Sequence, residues 1–168
     1  HASAGGTYDV ARKIVKDVFG KEPPLRLPYE FFLYDGKKMS SSKGLGLTGQ
    51  ELLEILPAEL VRFLMIRTPP NQAVEFNPRG TLIIPNLFDD YQKATKSDED
   101  YLKRAVEFSK IDNKDLKIPK VKFLQLVQWV QSPNMEEQIK KEGALEWAEY
   151  AKVWIEKYAP EEDRFGIQ

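Results

Sequence analysis

The spacing of apolar residues changes once along this chain, and the change confines what it can fold into. Over residues 25–34, Leu25, Leu27, Tyr29, Phe31 and Leu33 alternate with Arg26, Pro28, Glu30, Phe32 and Tyr34. A period of two reads as strand, and Pro28 places part of it at an edge. From Thr48 onward apolar residues recur three and four apart, in blocks punctuated by proline and glycine, which is the spacing of one helix face. The expected fold is therefore mostly α with a small α/β portion.

Between the two regimes lies Asp35-Gly36, the usual signal of a tight hairpin turn, so residues 31–34 should pair briefly with 37–39. The hairpin then delivers Lys37-Lys38-Met39-Ser40-Ser41-Ser42-Lys43-Gly44-Leu45-Gly46. Glycines let backbone amides approach an anion, serine hydroxyls rotate to donate, and lysines supply compact positive charge. Such a loop suits phosphate, although lysine, serine and glycine also make up ordinary solvated loops. Thr48-Gly49-Gln50-Glu51 reads as a capping box, so the loop should end on a helix N-terminus with positive partial charge.

The remaining helices follow from caps and breakers. Thr7 can cap a helix to about residue 19 with Val10, Ile14, Val15 and Val18 on one face and Gly20 at its end. Gly5-Gly6 before it makes either a ligand-facing loop or a plain turn into the helix. A helix over 48–56 carries Leu52, Leu53, Ile55 and Leu56, and Pro57 opens a second one as its first residue. On that helix Arg62 and Arg67 are candidates for solvation or a phosphate contact. Residues 71–85 read as irregular, with 81–84 as an extended piece crossing between packed units and Asn86 capping a helix from Leu87. Ser97 to Asp100 should cap a helix burying Tyr101, Leu102, Ala105, Val106 and Phe108. After a charged loop at 111–118, Pro119 should start a helix with Phe123, Leu124, Val127 and Val130 inward. Helices at 135–142 and 144–158 precede a solvated acidic tail, and Trp129, Trp147 and Trp154 read as helical core in preference to a platform for nucleobases.

At 168 residues, 42% hydrophobic and net charge −1, the chain can bury one core or two small ones. The charge argues against a blanket nucleic-acid-binding surface while leaving room for a local patch. Without cysteine, disulfides and thiolate metal sites within the chain are excluded, and one histidine leaves no metal site to be expected. No apolar run reaches 18 residues, and no leader-like segment opens the chain, so no membrane is expected and the cytoplasm is the default compartment. The chain opens on His1 without a methionine, as if taken from a longer protein.

Lys38-Met39-Ser40-Ser41-Ser42 resembles the KMSKS signature of class I aminoacyl-tRNA synthetases. Residues 1–9, Leu27-Pro28-Tyr29-Glu30, residues 38–44 and residues 156–162 are similar to segments of one family in that class, the class I lysyl-tRNA synthetases. The resemblance implies that 1–46 is the end of a Rossmann-type catalytic domain with its KMSSS loop. It further implies a helical connector over 47–85, stem-contact-like, and the start of a helical anticodon-side bundle over 86–168. The parent enzyme would activate lysine with ATP and Mg2+ and transfer it to tRNA(Lys). The hydroxyls of Ser40 and Ser42 and the ammonium of Lys38 or Lys43 would hold the β- and γ-phosphates, with Met39, Ser41 and Gly44 completing the ATP-binding loop. His1, Gly5, Gly6 and Tyr29 match the family's amino-acid pocket.

Two departures qualify this. The second lysine of the class signature is Ser41 here, so Lys43 would take over its charge, and the class's His-x-Gly-His motif is absent. The chain is therefore expected to be a fragment that does not aminoacylate alone. A synthetase for glutamate, glutamine or cysteine, a non-catalytic helical RNA-binding module, and a helical interaction domain remain the alternatives.

Overall fold

A computed structural model describes residues 5–40 and 44–164. Helix α1 (Thr7–Asp17) starts one residue earlier than its sequence cap suggests: Gly6 is the N-cap, and the Gly5 amide donates to the Asp9 carboxylate at 2.8 Å. Gly20 takes the left-handed conformation that ends this region. No residue of α1 is buried, and its apolar side chains Val10, Ile14 and Val18 stay exposed.

The hairpin forms where Asp35-Gly36 places it. Strand β1 (Phe32–Tyr34) pairs antiparallel with β2 (Lys37–Lys38), Leu33 opposite Lys38, and both turn residues have positive φ as a type I′ turn requires. The strand does not extend back to Leu25, which corrects the reading of 25–34. Pro28 has no amide to give a ladder, and Glu30 is joined instead to Pro70, its N–H donating to the carbonyl at 2.8 Å. Leu25, Leu27 and Tyr29 are consequently exposed, Leu25 at 94%.

A third strand was not legible in the sequence. Strand β3 (Val74–Glu75) runs parallel to β1 on the side away from β2, Phe32 opposite Val74. It lies inside the stretch read as irregular. Its successor Phe76 donates its amide to Leu33 O at 2.9 Å and is fully buried.

The rest is helical. The capping box at Thr48 forms as read and starts α2 (Gly49–Ile55), and α3 (Ala58–Ile66) follows with Pro57 as its N-cap, one position outside the helix. Helix α4 (Ile83–Ala94) begins before Asn86: the Thr81 hydroxyl accepts from the Ile83 amide, and Pro85 falls in the first turn, where its missing N–H costs no helical bond. Residues 83 and 84 are thus helix and not extended crossing. Helix α5 (Asp100–Ser109) buries Ala105 and Ser109 and half-buries Leu102 and Val106, whereas Tyr101 and Phe108 stand exposed, contrary to the predicted stripe. Helix α6 (Phe123–Val130) starts four residues after Pro119, because its cap is supplied from elsewhere: the Asp89 carboxylate on α4 accepts from the Phe123 amide at 3.0 Å. Helices α7 (Glu136–Lys141) and α8 (Leu145–Lys157) meet at Gly143, whose φ is +66°. The acidic tail is a short 3-10 turn tied down by Gln131, which donates to Asp163 O.

One continuous core links these helices, from Leu52 and Ile55 through Phe63, Phe76, Leu87 and Phe88 to Trp147, Trp154 and Tyr158. Phe88 and Phe123 stack at 4.3 Å, with Trp147 edge-on to Phe88 at 4.7 Å. Trp147 and Trp154 are core residues as expected, and Trp129 is half-buried. The exposed hydrophobic residues of α1 and of 18–31 lie outside this core.

Candidate functional site

The lysine- and serine-bearing loop leaves the end of β2 and returns three residues before α2. Ser40 and Leu45 close its base as a bridge with two hydrogen bonds, 2.9 Å from the Ser40 amide to Leu45 O and 3.1 Å back. One step earlier the Met39 amide donates to Phe32 O at 3.0 Å, which continues the hairpin ladder to the loop's edge. The loop is therefore anchored on a ribbon, as the Asp35-Gly36 turn implied. Ser41, Ser42 and Lys43 lie outside the described residues, as does His1.

Lys38 is exposed, and its Nζ sits 4.0 Å from the centre of the Phe31 ring. At a solvated site a cation–π contact contributes about 0.5–1 kcal/mol, so the ammonium can exchange it for a phosphate oxygen at small cost. Gly44 and Gly46 both have positive φ, and Gly46 presses against Met39. The hairpin tip is held from β3, where the Glu75 carboxylate accepts from the Gly36 amide at 3.2 and 3.3 Å. Glu75 has no local sequence signal, because its partner lies 39 residues away.

The capping box sets the electrostatics at the start of α2. Glu51 Oε2 accepts from the Thr48 amide at 2.7 Å and from its hydroxyl at 2.8 Å, while the Glu51 amide donates to Thr48 Oγ1. These bonds, the Thr48 backbone bond foremost, hold the Glu51 carboxyl below its usual range. A carboxylate already occupies the N-terminus of this seven-residue helix, so attraction for an anion has to come from the lysines and the loop.

Other predicted site residues are distributed. Tyr29, 82% exposed, lines an apolar groove of about 590 Å³ with Leu27, Phe31, Met65, Pro70 and Tyr101. Gly5 lines a separate shallow depression with Asp9, Arg12 and Lys16, and Gly6 caps α1. Arg62 is exposed, as the solvated reading expected, and donates to Phe108 O at 2.7 Å, whereas the half-buried Arg67 pairs with Asp90 at 2.7 Å. Among the described residues no group of three or more acidic or histidine side chains converges as a metal site.

Comparison with known proteins shows the family. The family of class I tRNA synthetases of the lysine type, class I (K), matches residues 1–118. The chain belongs to this family. Curated relatives extend the match over the helical remainder: a lysine–tRNA ligase of Thermoplasma volcanium is 35% identical and one of Thermoplasma acidophilum 36% identical, each over 99% of this chain and 36% of its own length. A lysine–tRNA ligase of Archaeoglobus fulgidus is 33% identical over the same share of both chains. The chain thus spans a little over one-third of the length of the curated relatives it matches. No helix among the described residues is long and apolar enough to cross a membrane.

Proposed function

We propose that this chain is the phosphate-loop and helical segment of a lysine–tRNA ligase that activates lysine with ATP and transfers it to tRNA(Lys). The observation that supports it most is the closed Ser40–Leu45 loop, lysine- and serine-bearing, on a hairpin in a class I (K) chain. In activation, the lysine carboxylate oxygen attacks the α-phosphorus of ATP, the bond to the β-phosphate oxygen breaks, and pyrophosphate leaves. Negative charge builds on the departing β- and γ-phosphates. Lys38 and Lys43, with the hydroxyls of Ser40 and Ser42, stabilise that charge more in the transition state than in bound ATP, which is where such contacts accelerate reaction. Met39, Ser41 and Gly44 shape the loop. The terminal ribose hydroxyl of tRNA then attacks the lysyl carbonyl and AMP leaves.

His1, Gly5, Gly6 and Tyr29 are assigned to the lysine pocket. Magnesium belongs to the nucleotide in this reading: it travels on the ATP phosphates, and the described residues offer it no carboxylate cage. Residues 1–46 complete a Rossmann-type catalytic domain, 47–85 form a connector facing the acceptor stem, and 86–168 begin a helical anticodon-side bundle. The exposed apolar side chains of α1 and of 25–31 suit a surface covered by the rest of the catalytic domain. The chain covers 36% of the length of its Thermoplasma relatives, and aminoacylation is expected from the full-length protein and not from this segment alone.

The test is ATP–pyrophosphate exchange by the full-length protein, with total tRNA present and lysine, glutamate, glutamine and cysteine supplied in turn. Exchange with lysine that falls at least about 100-fold on Lys43→Ala or Ser40→Ala is the expected result, since one oxyanion-type contact contributes a factor of about 10²–10³. Exchange with a different amino acid would discard the lysine specificity. No exchange with any of the four would leave an RNA-binding, non-catalytic protein.

A further inference from the structure

Gly46 differs from the other left-handed glycines of this chain. Gly5, Gly20, Gly36, Gly44, Gly80 and Gly143 all take positive φ with open space where a side chain would stand. Their conformation alone accounts for glycine. Gly46 has φ +112°, and a Cβ there would lie 2.8 Å from Met39 Cγ, 3.1 Å from its Sδ and 3.3 Å from its Cβ. Cγ and Sδ lie beyond χ1 and would have to leave by a change of rotamer, while Met39 Cβ is fixed to the backbone, so a side chain at Gly46 would displace Met39 from its seat and push on the backbone at 38–40.

That backbone has little freedom to give. On one side of Met39 its amide is bonded to Phe32 O, and on the other Ser40 is bonded twice to Leu45. The far end of the hairpin is pinned by Glu75 at Gly36. Gly46 and Met39 both lie outside the helical core, so displacing them leaves the packing of α2 to α8 intact.

We infer that Gly46 and Met39 form a positioning pair: the missing Cβ of Gly46 lets Met39 seat against it, and this contact sets the direction in which Lys38 and Ser40 are presented to a nucleotide's phosphates. The inference rests on the ATP-dependent reading given above. Gly46 touches no phosphate itself and acts through Met39. A displacement of a few tenths of an ångström at the loop base is enough, because charge stabilisation in a transition state depends steeply on placement.

The experiment is ATP–pyrophosphate exchange by the full-length protein and its Gly46→Ala, Met39→Ala and doubly substituted forms, with lysine and total tRNA, alongside thermal unfolding. Gly46→Ala should lower kcat about 10- to 100-fold and leave KM for lysine unchanged, with a fall in the unfolding midpoint from its positive φ that is the same in both backgrounds. In the Met39→Ala background, where Cγ and Sδ are gone, the same substitution should cost less than one-fifth as much. A glycine required only for its φ predicts equal losses in both backgrounds, and that result overturns the pair. Exchange unaffected by Gly46→Ala overturns this inference alone. A parent protein without exchange overturns the ligase reading and takes this inference with it. An activity loss no larger than the fraction unfolded at the assay temperature identifies Gly46 as structural and also refutes the pair.

Discussion

Helix α6 has no capping side chain of its own: its N-cap is Lys122, and the Phe123 amide is satisfied by Asp89 from α4. Asp89→Ala therefore removes a cap delivered across the core. Losing an ordinary capping side chain costs about 0.5–2 kcal/mol. A bond to an ionised acceptor contributes about 1.5–3 kcal/mol. Asp89 is 21% exposed, so water recovers part of the loss, and about 1.5 kcal/mol is expected. The same carboxylate lies 3.6 Å from Lys122 Nζ, whose side chain is 65% exposed. A pair that open contributes at most about 0.5 kcal/mol, which is the predicted cost of Lys122→Ala. Asp89→Asn keeps an acceptor oxygen and should fall between the two. For a domain of this size about 1.5 kcal/mol lowers the thermal midpoint by roughly 3–6 °C, and urea unfolding followed by circular dichroism measures the free energy directly. If Lys122→Ala costs as much as Asp89→Ala, the ion pair and not the cap holds α6, and the reasoning is wrong.

Glu51 predicts a pH dependence whose sign follows from its bonds. Its folded pKa is lowered, mainly by the Thr48 backbone bond, so its stabilisation is present above the usual value of 4.5 and disappears as pH falls through the lowered one. The difference in urea midpoint between the unsubstituted chain and Glu51→Gln should be constant near neutrality and vanish on acidification; a difference that persists in acid contradicts the box. Trp154 is fully buried and, among the described residues, its indole N–H meets no acceptor. Trp154→Phe should thus cost about 1–2 kcal/mol by denaturation, well below the roughly 3–5 kcal/mol of Trp154→Ala. Equal costs for the two would mean that the indole N–H has a partner in solution.

Local chemistry was readable wherever its cause lay within a few residues. Asp35-Gly36 made its hairpin because both turn residues need positive φ, and Thr48-x-x-Glu51 made its box because donor and acceptor sit one helical turn apart. The misread boundaries have distant causes. Pro119 looked like the start of α6, but the helix waits for Phe123 because Asp89, 34 residues earlier, provides the bond. Leu25 to Tyr29 alternate as a strand should, yet they join no strand of the sheet, and an alternating pattern without a partner yields no ladder. Strand β3 is two residues long, below what periodicity can register, and Glu75 acquires its role only by meeting Gly36. For the site, the sequence offered the loop and its class resemblance, and it gave no sign of Phe31 under Lys38 or of Met39 against Gly46.

The parallel pairing of β1 with β3 carries a consequence for the order in which the chain opens. The two strands meet only after α2 and α3 have crossed between them, so their hydrogen bonds close a long loop and none of their own residues is fully buried, whereas α4 to α8 are tied together through the buried core. The ribbon that carries the serine loop should therefore open before the helical core does. Native-state hydrogen exchange should find the Met39 and Val74 amides opening while the Tyr91 and Trp154 segments remain protected. In the proposed phosphate-binding role, a loop mounted on a ribbon that opens more readily than the core can draw on substrate binding to complete its own folding.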